Sequence, residues 1–445
     1  PASTLFIVEL LHKAGLPNGV LNVVNGGKEV VDALIEAPEV KAMSFVGSTP
    51  VAEYIYSQGT KRGKRVQALG GAKNHAIIMP DAEVSSTINS LMGAAFGSCG
   101  ERCMAISVAV CVGDEVADNL VKELTPRIQE LRVGAFTQSA VDMGPVIAKE
   151  HLEKISGYIE SGVEAGAELV VDGRGLSVPD FSTGYFLGGS LFDNVTPDMK
   201  IYTDEIFGPV LHVATFKASA LDDVVAEINA TGYGLTFGLH TRIDGRVQAV
   251  SDRINAGNIY VNRNQIGAVV GSQPFGGEGL SGTGPKAGGP LYLTRMCKAE
   301  AQAPCDAWAD VANVAAVQAG IDAALQGQSR APLKVLDMAG PTGEANTLST
   351  RPRPPVLCLG PSKTALEQQV RAVEAHGGAA VAVEGTLQPG ALAALKGFSA
   401  VVYWGDNASS YAKTLAKRTG AILPLVTGLP DEAHVTLERH LCVDT

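Results

Sequence analysis

Three observations predict an α/β fold built on a doubly wound parallel sheet. Short β-branched runs alternate with helical stretches along most of the 445 residues. The joins are small-residue turns, for which the 51 glycines are a ready supply. A strand, helix, strand repeat brings successive strands back to the same end of a sheet, which makes them parallel. The length allows two or three domains with sizeable cores.

The elements follow in order. Ser3 or Thr4 caps a helix over 5–14 that stops at Gly15. Residues 20–24 (Val-Leu-Asn-Val-Val) read as a buried strand, and Asn25-Gly26-Gly27 turns into a helix near 28–36. A strand over 41–46 ends in Gly47-Ser48-Thr49-Pro50 before a helix from about Val51. Strand, small-residue turn and helix N-terminus make a ready anion site, although an ordinary helix cap has the same sequence. Residues 64–69 read as a strand, 70–75 as a loop and 76–79 as another strand.

The stretch from Phe96 to Met104 (Phe-Gly-Ser-Cys-Gly-Glu-Arg-Cys-Met) lies between a helical segment at 85–95 and an apolar run at 106–112. This puts Cys103 on a tight turn at the mouth of a strand. Gly97 and Gly100 let backbone N–H groups crowd toward the thiol, which suits a nucleophile whose adduct becomes an oxyanion. Arg102 adds positive charge that would favour the thiolate. A lone cysteine of this kind is otherwise a small buried apolar residue.

Downstream, 115–131 and 149–165 read as helices and 167–171 as a strand. In Thr203-Asp204-Glu205-Ile206-Phe207-Gly208-Pro209-Val210, an extended backbone would put Glu205 and Phe207 on one face. The Gly-rich stretch around Ile266-Gly267-Ala268 is a loop. Residues 307–324 are Ala-rich and suit one helix or two, and 340–355, rich in Gly, Pro, Thr and Arg, read as linker. From 356 the pattern restarts: strands at 356–359, 379–383, 400–404 and 421–425, with helices at 362–376, 388–396 and 407–418.

A formal net charge of −11 and the lack of a long basic run argue against a nucleic-acid partner. No apolar stretch has membrane-span length and no signal-peptide pattern opens the chain. Seven cysteines (99, 103, 111, 297, 305, 358 and 442) show no metal-ligand spacing and read as reduced thiols of a cytoplasmic protein.

The Phe96–Met104 string resembles the active-site signature of the aldehyde dehydrogenase superfamily. Phe45-Val46-Gly47-Ser48 and the 203–210 octapeptide resemble it too. The resemblance implies an aldehyde dehydrogenase fold: a parallel cofactor-binding sheet incomplete at its N-terminus, an α/β catalytic domain and a small C-terminal Rossmann-like domain. Cys103 is then the nucleophile. Gly47 and Ser48 hold the NAD pyrophosphate, Glu205 bonds the nicotinamide ribose and Phe207 packs beside the nicotinamide. Where the family has a glycine, Ala52 stands here. The family's cofactor domain begins upstream of Pro1.

Two branches are discernible. Residues 65–75 and 103–110 resemble methylmalonate-semialdehyde dehydrogenases, which lack the glutamate that other members carry at the position of Leu69. That branch passes the acyl group to coenzyme A. Residues 229–242, 260–271 and 274–286 resemble the glutamate-semialdehyde dehydrogenase domain of proline utilisation A. There the loop matching Gly267 and Ala268 binds the substrate carboxylate, with Arg102 a second candidate contact. The expected layout is residues 1–75 as part of the cofactor domain, 76–295 catalytic, 296–355 linker and 356–445 an accessory α/β domain. The expected protein oxidises a carboxylate-bearing aldehyde with NAD and coenzyme A, binds no metal and forms a homo-oligomer. Glutamate-semialdehyde oxidation and a non-catalytic assembly role are the alternatives.

Overall fold

The computed structural model describes residues 2–297 and 307–444; the reading of Cys305 as a reduced thiol lies outside them. The first segment contains α1 (Ala2–Lys13), α2 (Lys28–Glu36), β1 (Ala42–Val46), α3 (Thr49–Lys61) and β2 (Arg65–Leu69). β1 and β2 pair in parallel as a separate two-stranded sheet, with Val46 opposite Leu69. Helix α3 is the crossover between them. It buries Ala52, Ile55 and Tyr56 against Ile35, Val66 and Ala68, and each fully buried aliphatic side chain there contributes about 1.5–3 kcal/mol.

The second segment runs β3 (Asn74–Ile78), α4 (Val84–Phe96), β4 (Ile106–Val112), α5 (Asp114–Gln129), α6 (Lys149–Glu164), β5 (Glu168–Val171) and β6 (Ser190–Asp193). It continues through α7 (Lys200–Thr203), β7 (Val210–Phe216), α8 (Leu221–Ala230), β8 (Tyr233–Gly234), β9 (Thr236–His240), α9 (Asp244–Ser251), β10 (Asn258–Val261) and β11 (Glu278–Gly279). The third contains α10 (Val314–Gly327), β12 (Lys334–Met338), β13 (Glu344–Pro352), β14 (Val356–Cys358), α11 (Lys363–Ala375), β15 (Ala380–Ala382) and β16 (Ala400–Val402). It closes with α12 (Ala408–Leu415), β17 (Leu425–Val426), α13 (Glu432–Val435) and β18 (Thr436–Asp444).

A ten-stranded sheet ordered β12-β13-β18-β10-β9-β3-β4-β7-β6-β5 carries the second segment. Every pairing from β18 to β6 is parallel, and antiparallel strands finish both ends. β4, covered on both faces, buries Val108, Val110 and Val112, as a central parallel strand must. A smaller parallel sheet, β15-β14-β16-β17, forms the C-terminal unit.

The structure corrects several expectations. Residues 20–24 form no strand; Val20 and Val24 are exposed and nothing pairs with them. Residues 389–393 make a single 3-10 turn in place of the expected helix at 388–396. The span 296–355 is not a linker among its described residues: α10 is one helix, and β12 and β13 extend the large sheet. Nor is 356–445 one separate unit. Its last strand, β18, leaves the C-terminal sheet and inserts between β13 and β10.

Candidate active site

Glu83 caps α4 through its carboxylate, which accepts from the N–H groups of Ser85 and Ser86. The helix ends at Phe96 and a 3-10 turn, Gly97–Gly100, redirects the chain. Ser98, Cys99 and Gly100 all have positive φ, of 53°, 57° and 65°. Glycine is required at 100, because a Cβ there would lie 2.2 Å from the Gly208 oxygen. A further turn, with Ala105 N–H donating to the Arg102 oxygen at 3.0 Å, presents Cys103 three residues before β4.

Asn74, the first residue of β3, fastens that turn. Its side-chain Nδ2 donates to the carbonyls of Cys103 and Ala105, each at 2.8 Å. Its Oδ1 accepts from Thr236 N–H at 3.1 Å. The amino ends of β3, β4 and β9 are thereby held together beneath the cysteine.

The Cys103 thiol is half-buried. Burial raises its pKa above 9.0, the Glu205 charge raises it further, and the cysteine's own backbone N–H acts in the opposite direction. Arg102 does not act on the thiol as expected: it is exposed, and its Nε donates to Ser98 Oγ at 3.0 Å. Burial and the Glu205 charge thus both favour the protonated thiol, and its own N–H is the group disposed to favour negative charge.

Glu205 and Phe207 line the same cleft as Cys103 and Arg102, but not by sharing a face of an extended segment. Phe207 has φ 59°, so the backbone turns between them. Glu205 Oε1 accepts from Ala72 N–H at 3.1 Å, and burial raises its pKa. Lys73 Nζ donates to the carbonyls of Ile201 and Asp204 at 2.6 and 2.8 Å, fixing the segment that carries Glu205. Burial lowers the Lys73 pKa to about 7.

Gly47 and Ser48 stand apart from the cleft, at the carboxyl end of β1. Ser48 is the N-cap of the 13-residue α3, yet its hydroxyl makes no capping bond. Thr49 Oγ1 accepts from Gly71 N–H at 3.0 Å, and the next residue, Ala72, holds Glu205. A Cβ at Gly71 would lie 2.4 Å from Glu205 Oε2, so a side chain there would displace the carboxylate. An uncommitted hydroxyl and N–H groups at a helix start suit a dinucleotide pyrophosphate, so these residues fit NAD. Ala52 is fully buried.

Gly267, with φ 114°, is exposed, and Ala268 packs with Cys103 against Ala72, Met104, Leu235, Tyr260 and Cys442. Leu69 is buried against the loop at Gly282, where a Cβ would lie 2.5 Å from Leu69 Cδ2. Sequence reasoning missed Asn74 and Lys73, which fell in a predicted loop, and Thr49. It also missed His212, buried at the inner end of the cleft with Nδ1 2.7 Å from the Ser107 oxygen. A polar residue opening or interrupting an apolar strand was the available signal. Among the described residues no group of three or more His, Cys, Asp or Glu is placed to hold a metal ion.

A cysteine on a glycine-shaped turn thus lines a cleft with a buried carboxylate, between the carboxyl end of one parallel sheet and the amino end of another. The chain belongs to the aldehyde dehydrogenase family, whose model matches residues 1–301. It is 59% identical over 262 residues to the malonate-semialdehyde dehydrogenase of Pseudomonas aeruginosa, covering 59% of this chain and 52% of that protein. A Sinorhizobium meliloti 1021 protein assigned as a methylmalonate-semialdehyde dehydrogenase, solved with NAD, superimposes with TM-score 0.63 at 45% identity. That match covers 66% of this chain and 60% of the other. A bifunctional proline utilization A protein matches with TM-score 0.62 at 37% identity, over 67% of this chain and 30% of its own. The chain thus spans about half the length of the Pseudomonas relative.

Proposed function

We propose that the chain oxidises malonate semialdehyde or methylmalonate semialdehyde with NAD and passes the acyl group to coenzyme A. The observation that carries this reading is the Cys103 cleft. It brings the thiol, Glu205 and Phe207 together, while Leu69, buried elsewhere, supplies no base for water.

In this reading Cys103 loses its proton to solvent, the resulting thiolate adds to the aldehyde carbon, and the new oxyanion is stabilised by the Cys103 N–H. Asn74 keeps that N–H aimed by holding the carbonyls on either side of Met104. Bound NAD would supply the hydride acceptor; Ser48 and Gly47 would hold its pyrophosphate, Glu205 would orient its ribose and Phe207 would pack beside the ring. The remaining thioester on Cys103 is cleaved by the coenzyme A thiol. Arg102 and the backbone at Gly267 and Ala268 hold the substrate carboxylate.

Self-association belongs to the same reading, supported by exposed Leu5, Phe6, Ile7, Leu10 and Leu11 on α1. A cytoplasmic setting is supported by six free cysteines among the described residues. No helix among them is long and apolar enough to cross a membrane. A second reading, oxidation of glutamate semialdehyde to glutamate, is favoured by the proline utilization A match. Product analysis with and without coenzyme A separates the two.

A further inference from the structure

A cavity of about 720 Å³ opens between the large sheet and the C-terminal unit, and it shares no lining residue with the Cys103 cleft. Arg330, Arg351, Arg353 and Arg439 reach its wall, against two carboxylates, Asp252 and Glu278. Two positive charges are therefore unmatched there, in a chain whose formal net charge is −11. Glu438, just behind the wall, is itself matched by Lys286, whose N–H it accepts at 2.6 Å.

Three of the four guanidiniums are held in place by the fold. Arg439 Nη2 bonds Glu278 at 3.0 Å, and Arg351 Nη2 bonds Asp252 at 3.0 Å. Arg353 donates to the carbonyls of Thr436 and Thr283 at 2.9 and 2.6 Å, with no carboxylate bonded to it. Donor capacity is left over. Arg351 Nε is buried with no partner, and among the described residues Arg330 has no hydrogen-bond or ion-pair partner. Arg330 and Arg351 also repel Arg439. Like charges are costly to hold around a partly desolvated space unless an anion joins them.

The rest of the lining is mixed, with apolar Leu280, Ile422 and Leu423 beside polar Asn229, Thr231 and Gln328. Forked guanidiniums match phosphate oxygens in two-point contact, and the volume is that of a drug-sized or nucleotide-sized ligand. We propose that this cavity is a second ligand site, for a phosphorylated, nucleotide-sized anion, independent of the dehydrogenase cleft.

The test titrates ADP, adenosine and inorganic phosphate into the full 445-residue chain by calorimetry, with NAD in excess to fill the dinucleotide site. The expected result is saturable one-to-one ADP binding, with adenosine and phosphate each at least tenfold weaker. Arg330→Gln and Arg351→Gln should each weaken ADP about tenfold, with NAD binding and Cys103 labelling unchanged. Arg330 has no partner to lose among the described residues, so its variant carries the test if Arg351→Gln fails to fold. No saturable ADP binding, or ADP affinity unchanged in Arg330→Gln, would overturn the proposal. Phosphate binding as tightly as ADP would overturn its nucleotide part.

Discussion

The side-chain amide of Asn74 donates a 2.8 Å hydrogen bond to the carbonyl oxygen of Cys103, and a second of equal length to Ala105. One residue of β3 thus sets the turn that presents the nucleophile from β4. Asn74→Ala would leave these two carbonyls and the Thr236 N–H without partners. At about 1–3 kcal/mol for each buried group left unsatisfied, the three groups together should cost about 3–9 kcal/mol. Denaturant unfolding measures the loss, and Asn74→Asp should restore only the contact to Thr236.

Glu205 acts on Cys103 with a definite sign. Its charge raises the thiol pKa, which burial has already lifted above 9.0. In the free chain, alkylation of Cys103 should therefore keep increasing as pH rises beyond the ordinary thiol value. Glu205→Gln removes the negative charge, lowers the thiol pKa and enlarges the thiolate fraction at neutral pH. Labelling at pH 7.5 should become faster while aldehyde oxidation becomes slower. Slower labelling together with slower oxidation would mean that Glu205 assists the thiol directly.

Gly100→Ala tests the turn itself. The residue has φ 65°, and the added carbon would lie 2.2 Å from the Gly208 oxygen. The left-handed conformation alone costs about 1–2 kcal/mol for a non-glycine residue, and the overlap adds to it. Loss of Cys103 reactivity with a lowered unfolding midpoint is expected. Gly166→Ala, at φ 93° with nothing near the new carbon, is the control for strain without collision.

Truncation before residue 436 should damage the catalytic part as well as the C-terminal unit. β18 lies between β13 and β10, and Cys442 on it packs in the cluster that supports Met104 and Cys103. Removing 436–444 exposes the edge of β10 and should abolish cooperative unfolding of the large sheet, measurable by calorimetry.

Much of this architecture was legible in the sequence because local and global preferences agree. The run at 106–112 is β-branched and becomes a buried central strand; the turn at 47–50 leads from a strand into a helix N-terminus. Where they disagree, the sequence misleads. Glycine, proline and arginine around 340–355 read as linker, yet β13 forms there because β18 offers it a nine-residue partner. Residues 20–24 have strand composition but no partner, and stay irregular. The cysteine, Glu205 and Phe207 were found from short motifs. Asn74 and Lys73 were not, since their importance lies in carbonyls supplied by distant segments. The sense of the charge acting on Cys103 was also hidden: Arg102 is near in sequence, but Glu205 is the group that acts on the thiol in space.

Acyl release from Cys103 should depend on coenzyme A, because the buried Leu69 offers no base to water. A general base contributes about 10²–10⁴-fold to such a step, whereas a thiol needs less activation than water. The direct measurement is NADH formation from malonate semialdehyde, with product analysis, in the presence and absence of coenzyme A. A single NADH burst without coenzyme A, and sustained turnover to an acyl-coenzyme A thioester with it, is the predicted result. Sustained turnover in buffer alone, with free acid as product, would contradict the account.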